Sequence, residues 1–238
     1  LAKIPSGFYI GGVLDYSMVG QKSTSDLRIT GGIGPDRFYQ EKYDNRYNSF
    51  GGGILAGYLL APCGEHHPLR LGVEVYLRAD HQRMRTEMDL LKDEFVAYRD
   101  TISFPLSAGA RFRAGIAFGE DQSWFLYGFV GGMISKMTWL RTSFNPEGIE
   151  EDVFVASLPG IYSPVAQVKS NALAFEAGIG LEREIWKGHR IGLDCTRVVY
   201  DKRSFYAPSI DRDYFGYKSL NHINRVSLRY VIPIEGIL

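Results

Sequence analysis

The stretch LRLGVEVYLRAD, Leu69–Asp80, decides the fold. Its odd positions, Leu69, Leu71, Val73, Val75, Leu77 and Ala79, are all apolar, while its even positions, Arg70, Gly72, Glu74, Tyr76, Arg78 and Asp80, hold every charge. Strict period-two alternation marks a strand with two unlike faces. The run is also longer than the usual strand of about 5–6 residues. A strand of about ten residues, rising ~3.3 Å each and tilted ~45°, climbs roughly 23 Å, the height a membrane-crossing strand needs.

Four other segments repeat the design and three more follow it less cleanly. Gly7–Val19 sets Phe8, Ile10, Leu14, Tyr16 and Met18 against Tyr9, Gly11, Asp15 and Ser17. Ile102–Phe118 sets Phe104, Leu106, Phe112 and Ile116 against Ser103, Ser107, Arg111 and Arg113. Asn171–Ile185 and Asn224–Pro233 alternate in the same way. Asn48–Leu60 is Gly-rich and apolar on both parities. In Ser123–Trp139 the aromatic positions Phe125, Tyr127 and Phe129, with Met133 and Met137, read as the apolar face, opposite Lys136 and Thr138. In Arg190–Asp201 the residue Arg197 falls on the apolar parity, which suggests a bulge or the edge of the membrane.

The connections sort by length. Short ones, 61–68, 119–122 and 186–189, alternate strictly with long ones, 20–47, 81–99, 140–170 and 202–221. Up-and-down barrels of the outer membrane have this asymmetry, short turns on the periplasmic side and longer loops outside. No apolar run approaches ~18 residues, so membrane-spanning helices are excluded. The 27 Gly among 238 residues exceed the usual ~7% and sit inside alternating segments, as a narrow barrel interior requires. Lys+Arg 27 against Asp+Glu 27 gives no basic stripe for nucleic acid. The start at Leu1 shows no basic, apolar leader, so the chain is expected to be a mature form with its signal peptide removed.

Alternation alone leaves open which face is inside. A soluble lipocalin-like barrel would enclose the apolar parity. Two features favour the reverse. Eight long apolar faces exceed what an eight-stranded interior holds. The polar parity carries charges of both signs, and buried charges are tolerated only when paired. The expected lumen network comprises Asp15, Arg70, Glu74, Arg78, Arg111, Arg113, Glu176, Glu182, Asp194, Arg225 and Arg229, with Lys136, Asp80 and Glu184 on the same parity. Aromatic residues near the strand ends, Trp124, Trp139 and Trp186 with Phe8, Tyr58, Phe118 and Phe125, are candidates for the interfacial girdles, although Trp124 and Trp186 fall on the polar parity.

These segments resemble the opacity and outer membrane protein A-like family of eight-stranded barrels. The stretches that carry the likeness are GFYIGG (7–12), SFGGGILAGY (49–58), LRLGVEVYLR (69–78), FEAGIGLE (175–182), HRIGLDCTRVVYD (189–201) and NRVSLRY (224–230). The likeness covers the strands and little of the loops. The chain departs from the family's frequent terminal aromatic residue, ending Ile232, Pro233, Ile234 and then EGIL. The resemblance implies a Gram-negative integral outer-membrane protein that presents loops to the outside.

Chemistry outside the barrel wall is sparse. Cys63, Glu65, His66 and His67 lie close in sequence, but a polar periplasmic turn explains them better than a metal site. The Gly51–Gly57 run lacks the Lys and the helix of a phosphate loop. Some barrels are lipid-modifying enzymes or proteases, and His81 and His222 with Asp80, Asp100 and Asp201 are the rim residues to test for that. Cys63 and Cys195 fall on different elements and are expected to stay free. Met84, Met88, Leu91 and Phe95 have helical spacing, predicting a short outer helix. In the fourth long loop Phe205, Tyr206, Tyr214, Phe215 and Tyr217 stand among Arg203, Arg212 and Lys218, a composition that suits contact surfaces.

The sequence therefore predicts an all-β, eight-stranded antiparallel up-and-down transmembrane barrel over 1–238, a single domain with four long outer loops. Its expected role is structural or surface-adhesive, without enzymatic activity, cofactor or metal. Its expected partners are outer-membrane lipid and a host-surface or envelope protein. A narrow passive pore is the alternative, ahead of a barrel enzyme or a soluble ligand-binding barrel.

Overall fold

The computed structural model describes residues 6–29, 37–64, 66–91, 96–119, 121–144, 166–208 and 214–234. The strands are β1 (Gly7–Ile29), β2 (Arg37–Leu60), β3 (Leu69–Leu91), β4 (Val96–Phe118), β5 (Trp124–Phe144), β6 (Ala166–Trp186), β7 (His189–Tyr200), β8 (Arg203–Pro208) and β9 (Tyr214–Pro233). Each pairs antiparallel with its neighbour in sequence up to β7, and β1 pairs with β9 to close the sheet. Both β7 and β8 pair with β9, β7 against its inner part and β8 against its outer part. They form one interrupted stave, so the wall has eight, as the sequence predicts. Closure removes the sheet edges that a membrane cannot tolerate.

Side-chain direction follows the parity of the decisive stretch. Val73 and Val75 are 57% and 58% exposed, whereas Glu74 and Arg78 are 2% and 1% exposed. The charges line the interior and the apolar side chains face outward, which rules out the soluble arrangement. The exterior apolar run on β1, from Phe8 to Met18, covers eleven residues, about 25 Å at the usual rise and tilt. On β2 the exterior run Tyr58, Ala56, Ile54 and Phe50 gives way to Asn48, Arg46, Asp44, Lys42 and Gln40. Such a band, bounded by polar residues on the side away from the short turns, identifies a transmembrane barrel of the outer-membrane type.

The short turns are tight. Lys187 and Gly188 join β6 to β7 with φ of 43° and 81°, the two positive values of a type I′ hairpin. Around this end sits an aromatic belt. Phe8 packs on Tyr58 at 4.7 Å, Phe118 stacks on Trp124 at 6.3 Å, and His189 Nδ1 lies 2.8 Å from the Tyr230 hydroxyl. Trp186 reaches the exterior because β6 carries one extra residue between Glu184 and Trp186.

Several expectations need correction. The long connections are largely strand: β1–β2 pairing continues out to Ile29↔Arg37 and β3–β4 pairing to Leu91↔Val96. The predicted outer helix is therefore absent, since β3 runs through Met84 and Met88 to Leu91; Phe95 lies outside the described residues. The same stretch also alternates, Met84, Thr86, Met88 and Leu90 against Arg83, Arg85, Glu87 and Asp89, and ladder pairing decides between the two periods. One extra residue in β4 between Ser103 and Leu106, beside Pro105, flips parity, because proline cannot donate to a ladder. Ile102 and Phe104 consequently point inward, fully buried, not outward as expected. β5 is inverted relative to the expectation: Phe125, Tyr127, Phe129, Met133 and Met137 are buried, while Leu126, Val130 and Ile134 face lipid with exposed Lys136. Trp139 is buried in the lumen and Phe125 with it, so neither belongs to a girdle. Trp124 accordingly falls on the exterior side. Arg197 is exterior in unbroken register with Asn224, so no bulge explains it. It lies level with Asn224, where the exterior becomes polar.

Beyond the apolar band the wall divides. β2–β3 pairing stops at Gly51↔Asp80 and β6–β7 pairing at Ala174↔Tyr200, while the other ladders continue outward. The outer parts thus form two leaves, β2-β1-β9-β8 and β3-β4-β5-β6, with a seam on each side.

Candidate functional site

Seven arginines and seven carboxylates are buried on the inward parity among the described residues: Arg70, Arg78, Arg111, Arg113, Arg190, Arg225 and Arg229, with Asp15, Glu74, Asp80, Glu176, Glu182, Glu184 and Asp194. All eleven lumen candidates from the sequence are among them. Lys136, expected on this parity, lies outside, and Arg190, which the expected network left out, lies inside. Arg190 opens its segment on the same parity as Gly192, Asp194 and Thr196, so the signal for it was present in the alternation.

The network is concentrated around three carboxylates. Glu74 receives Arg111 Nη2 at 2.5 Å, Arg229 Nη2 at 2.5 Å and Arg113 Nη1 at 3.3 Å, and accepts the Tyr9 hydroxyl at 3.0 Å. Glu182 pairs with Arg190 and Arg229, each at 3.0 Å, and with Arg113. Asp194 takes Arg111 Nη2 at 2.9 Å and Arg229 Nη1 at 3.0 Å, and accepts the Tyr127 hydroxyl. Arg113 and Arg229 meet each of their carboxylates with a different nitrogen of the planar fork, while Arg111 Nη2 stands between Glu74 and Asp194; lysine cannot supply such a fork. Aromatic faces carry the remaining charge: Arg113 lies 3.8 Å over Tyr127, Arg111 4.3 Å over Phe129 and Arg190 4.7 Å over Tyr9.

A second group lies further out. Arg225 donates to Asp80 at 2.9 Å and to Ser17 Oγ at 3.2 Å, and Arg78 Nε stands 3.8 Å from Asp15. The Ser135 hydroxyl lies 2.7 Å from Ser107 and 3.1 Å from Tyr200. Above these come Ile102, Phe104, Met137, Trp139, Val198 and Ile223, all buried, with Phe104 stacked on Tyr200 at 4.6 Å. The interior is thus charged in the middle, with an apolar layer above it and buried Gln21, Ser23 and Asn221 further out.

Glycine makes room for this filling. A Cβ at Gly180 would run into the Tyr127 ring and Asp194, and one at Gly57 would meet the Tyr9 ring. The backbone opposite each large lumen side chain must approach closely, and only glycine permits it.

The other candidates are dispersed. Arg212 lies outside the described residues. For Arg203, Phe205, Tyr206, Tyr214, Phe215 and Tyr217 the structure describes backbone only; the β8–β9 register opposes Phe205 to Tyr217 and Ala207 to Phe215. Asp80 is bound to Arg225 inside the lumen, while the His222 ring lies outside over Gly20, so the wall separates this pair of the rim-catalysis candidates. The side chains of His81 and Asp100 lie outside the described residues. At the short-turn end His67 Nδ1 accepts the Leu69 amide at 3.2 Å, and Gln122 Nε2 donates to the His66 carbonyl at 2.9 Å. No cluster of metal-ligating residues occurs among the described residues. Cys63 is exposed in a turn and Cys195 exposed on the lipid face of β7, both as free thiols.

No protein-family model matches the chain, and no curated protein matches it either. Among solved structures it is similar to the outer membrane protease OmpT from Escherichia coli, at 10% identity over 93% of this chain and 97% of that one, with a TM-score of 0.43. It is also similar to Ail, the attachment invasion locus protein of Yersinia pestis, in complex with the heparin analogue sucrose octasulfate (13% identity, 90% and 98% coverage, TM-score 0.29). A third is Neisserial surface protein A (12% identity, 93% and 97% coverage, TM-score 0.28). Identities this low say nothing of activity.

Proposed function

We propose that this outer-membrane barrel has a structural or surface-adhesive role, exerted through its outer hairpins and not by transport or catalysis. The observation that supports this reading is the filled interior, in which paired charges and then an apolar layer occupy the lumen. An eight-stranded barrel has space for side chains or one small ligand and no more. What is left to meet a partner is the outer part, where the strands continue beyond the membrane band as two leaves.

The fourth hairpin, β8–β9, is the proposed contact element, with Phe205, Tyr206, Tyr214, Phe215, Tyr217, Arg203 and Arg212 as its candidate residues. Aromatic and arginine side chains dominate contact energetics where they are desolvated. The partner would be a host-surface or envelope protein. The test displays the parent chain and four versions, each with one hairpin shortened to its membrane band, on a non-adherent Gram-negative strain. Adhesion to cultured cells and retention on immobilised envelope proteins should fall when the fourth hairpin is shortened. Equal values for the parent and all four versions would contradict the adhesive reading.

A further inference from the structure

The exterior just beyond the apolar band is unevenly charged. Among described residues, the exposed ionic side chains of this outer rim are Lys22, Lys42, Arg46, Lys136, Lys169, Arg197 and Lys202, opposed by Asp44 and Asp201. The whole chain is neutral, with 27 charges of each sign, so this excess is local. Four of the cations gather on the face made by β7, β9, β1 and β2. There Gly20 is paired with Arg46 on one side and with His222 on the other. Lacking a side chain, Gly20 leaves a notch into which the His222 ring folds; a Cβ would collide with it. Arg197, Lys22, Arg46 and Asp44 all lie within electrostatic reach of that ring. Lys22 is met by Asp44 at 3.9 Å, and Arg197 only touches Asn224 Oδ1 at 3.4 Å. Neither Arg46 nor Arg197 has an acidic partner among the described residues.

The position determines what covers this patch. It adjoins the outward edge of a surface wetted by hydrocarbon, where lipid headgroups lie. Arg46 and Arg197 are three strand spacings apart, each roughly 4.8 Å, and two residues apart in level, since Arg46 aligns through Gly20 and His222 with Val199; such a spread suits a headgroup bearing more than one phosphate. Arginine forks bind phosphate through paired, charge-assisted hydrogen bonds. We propose that Arg46, Lys22 and Arg197, arranged around the His222 ring in the Gly20 notch, bind the phosphorylated headgroup of an outer-leaflet lipid. This site stands on the exterior wall and is independent of any partner of the hairpins.

The experiment reconstitutes the chain into phosphatidylcholine nanodiscs containing either bis-phosphorylated lipid A or lipid A stripped of its phosphates. Co-purified lipid is then quantified by mass spectrometry. The parent chain should retain the phosphorylated form roughly tenfold more strongly. Arg46→Ala/Arg197→Ala should abolish the preference, Arg46→Lys/Arg197→Lys should restore part of it, and Lys136→Ala/Lys169→Ala, on another face, should leave it intact. Circular dichroism and heat-modified electrophoretic mobility serve to check that each variant is folded. Equal retention of the two lipids by the parent would overturn the proposal. So would an unchanged preference in Arg46→Ala/Arg197→Ala, or an equal loss in Lys136→Ala/Lys169→Ala.

Discussion

Removing the Glu74 carboxylate leaves Arg111, Arg113 and Arg229 without the counter-ion they share in the buried lumen. Breaking a buried pair by deleting one partner typically costs about 3–5 kcal/mol. Glu74→Leu should lower unfolding stability by about that amount, read from urea titration of vesicle-reconstituted protein by tryptophan fluorescence; an unchanged midpoint would contradict the network's role. Gly180→Ala tests the packing in the same lumen. Its Cβ would meet Tyr127 and Asp194, and overpacking of this kind costs about 1–3 kcal/mol. Individual charges were legible in the sequence because a charge on the inward parity of a lipid-facing strand has nowhere else to go. Their partners were not legible: Arg225 and Asp80 are 145 positions apart, and the barrel's curvature brings them together. The tyrosines were missed for a different reason. Tyr127 was counted with the apolar face and Tyr9 fell on the polar parity without a charge to mark it, yet each supplies a hydroxyl to a buried carboxylate.

At the scale of the strand, the two faces differ in what they tolerate. Ile54 is 66% exposed in the middle of the exterior band of β2. Ile54→Arg should destabilise the barrel by about 2–4 kcal/mol, the usual cost at the bilayer midplane. Arg46→Ala, beyond the band, should stay within about 0.5 kcal/mol. Equal effects in the same unfolding assay would mean that the band is misplaced. Six of the eight segments had their faces assigned correctly along most of their length, since β-branched and leucine residues alternate with charge. β5 was misread because both parities are apolar: Leu126, Val130 and Ile134 face lipid, while Phe125, Tyr127 and Phe129 fill the lumen. Lys136, the sole charge in Ser123–Trp139, drew the reading to the wrong face. In β4 the parity change beside Pro105 is invisible to a fixed period. The outer helix failed because four residues at helical spacing outweighed an alternation running through the same stretch. The far-UV spectrum of the folded chain should accordingly show β structure, and shortening residues 82–99 should remove β signal only.

For the molecule as a whole, the filled lumen and the lipid-wetted exterior are two consequences of one inversion. The first predicts that planar bilayers containing the purified chain show no steady single-channel conductance, whereas steps of uniform size would require a continuous aqueous path past Arg229 and Trp139. The second has a probe already built in. Cys195 lies on the exterior of β7, opposite Ile179 and Val226 in the two adjacent ladders. In the Cys63→Ser chain, a nitroxide attached to Cys195 after reconstitution into vesicles should relax strongly with oxygen, which partitions into hydrocarbon, and hardly at all with a water-soluble nickel chelate. Strong relaxation by the nickel chelate and weak relaxation by oxygen would place that face in water and contradict the account.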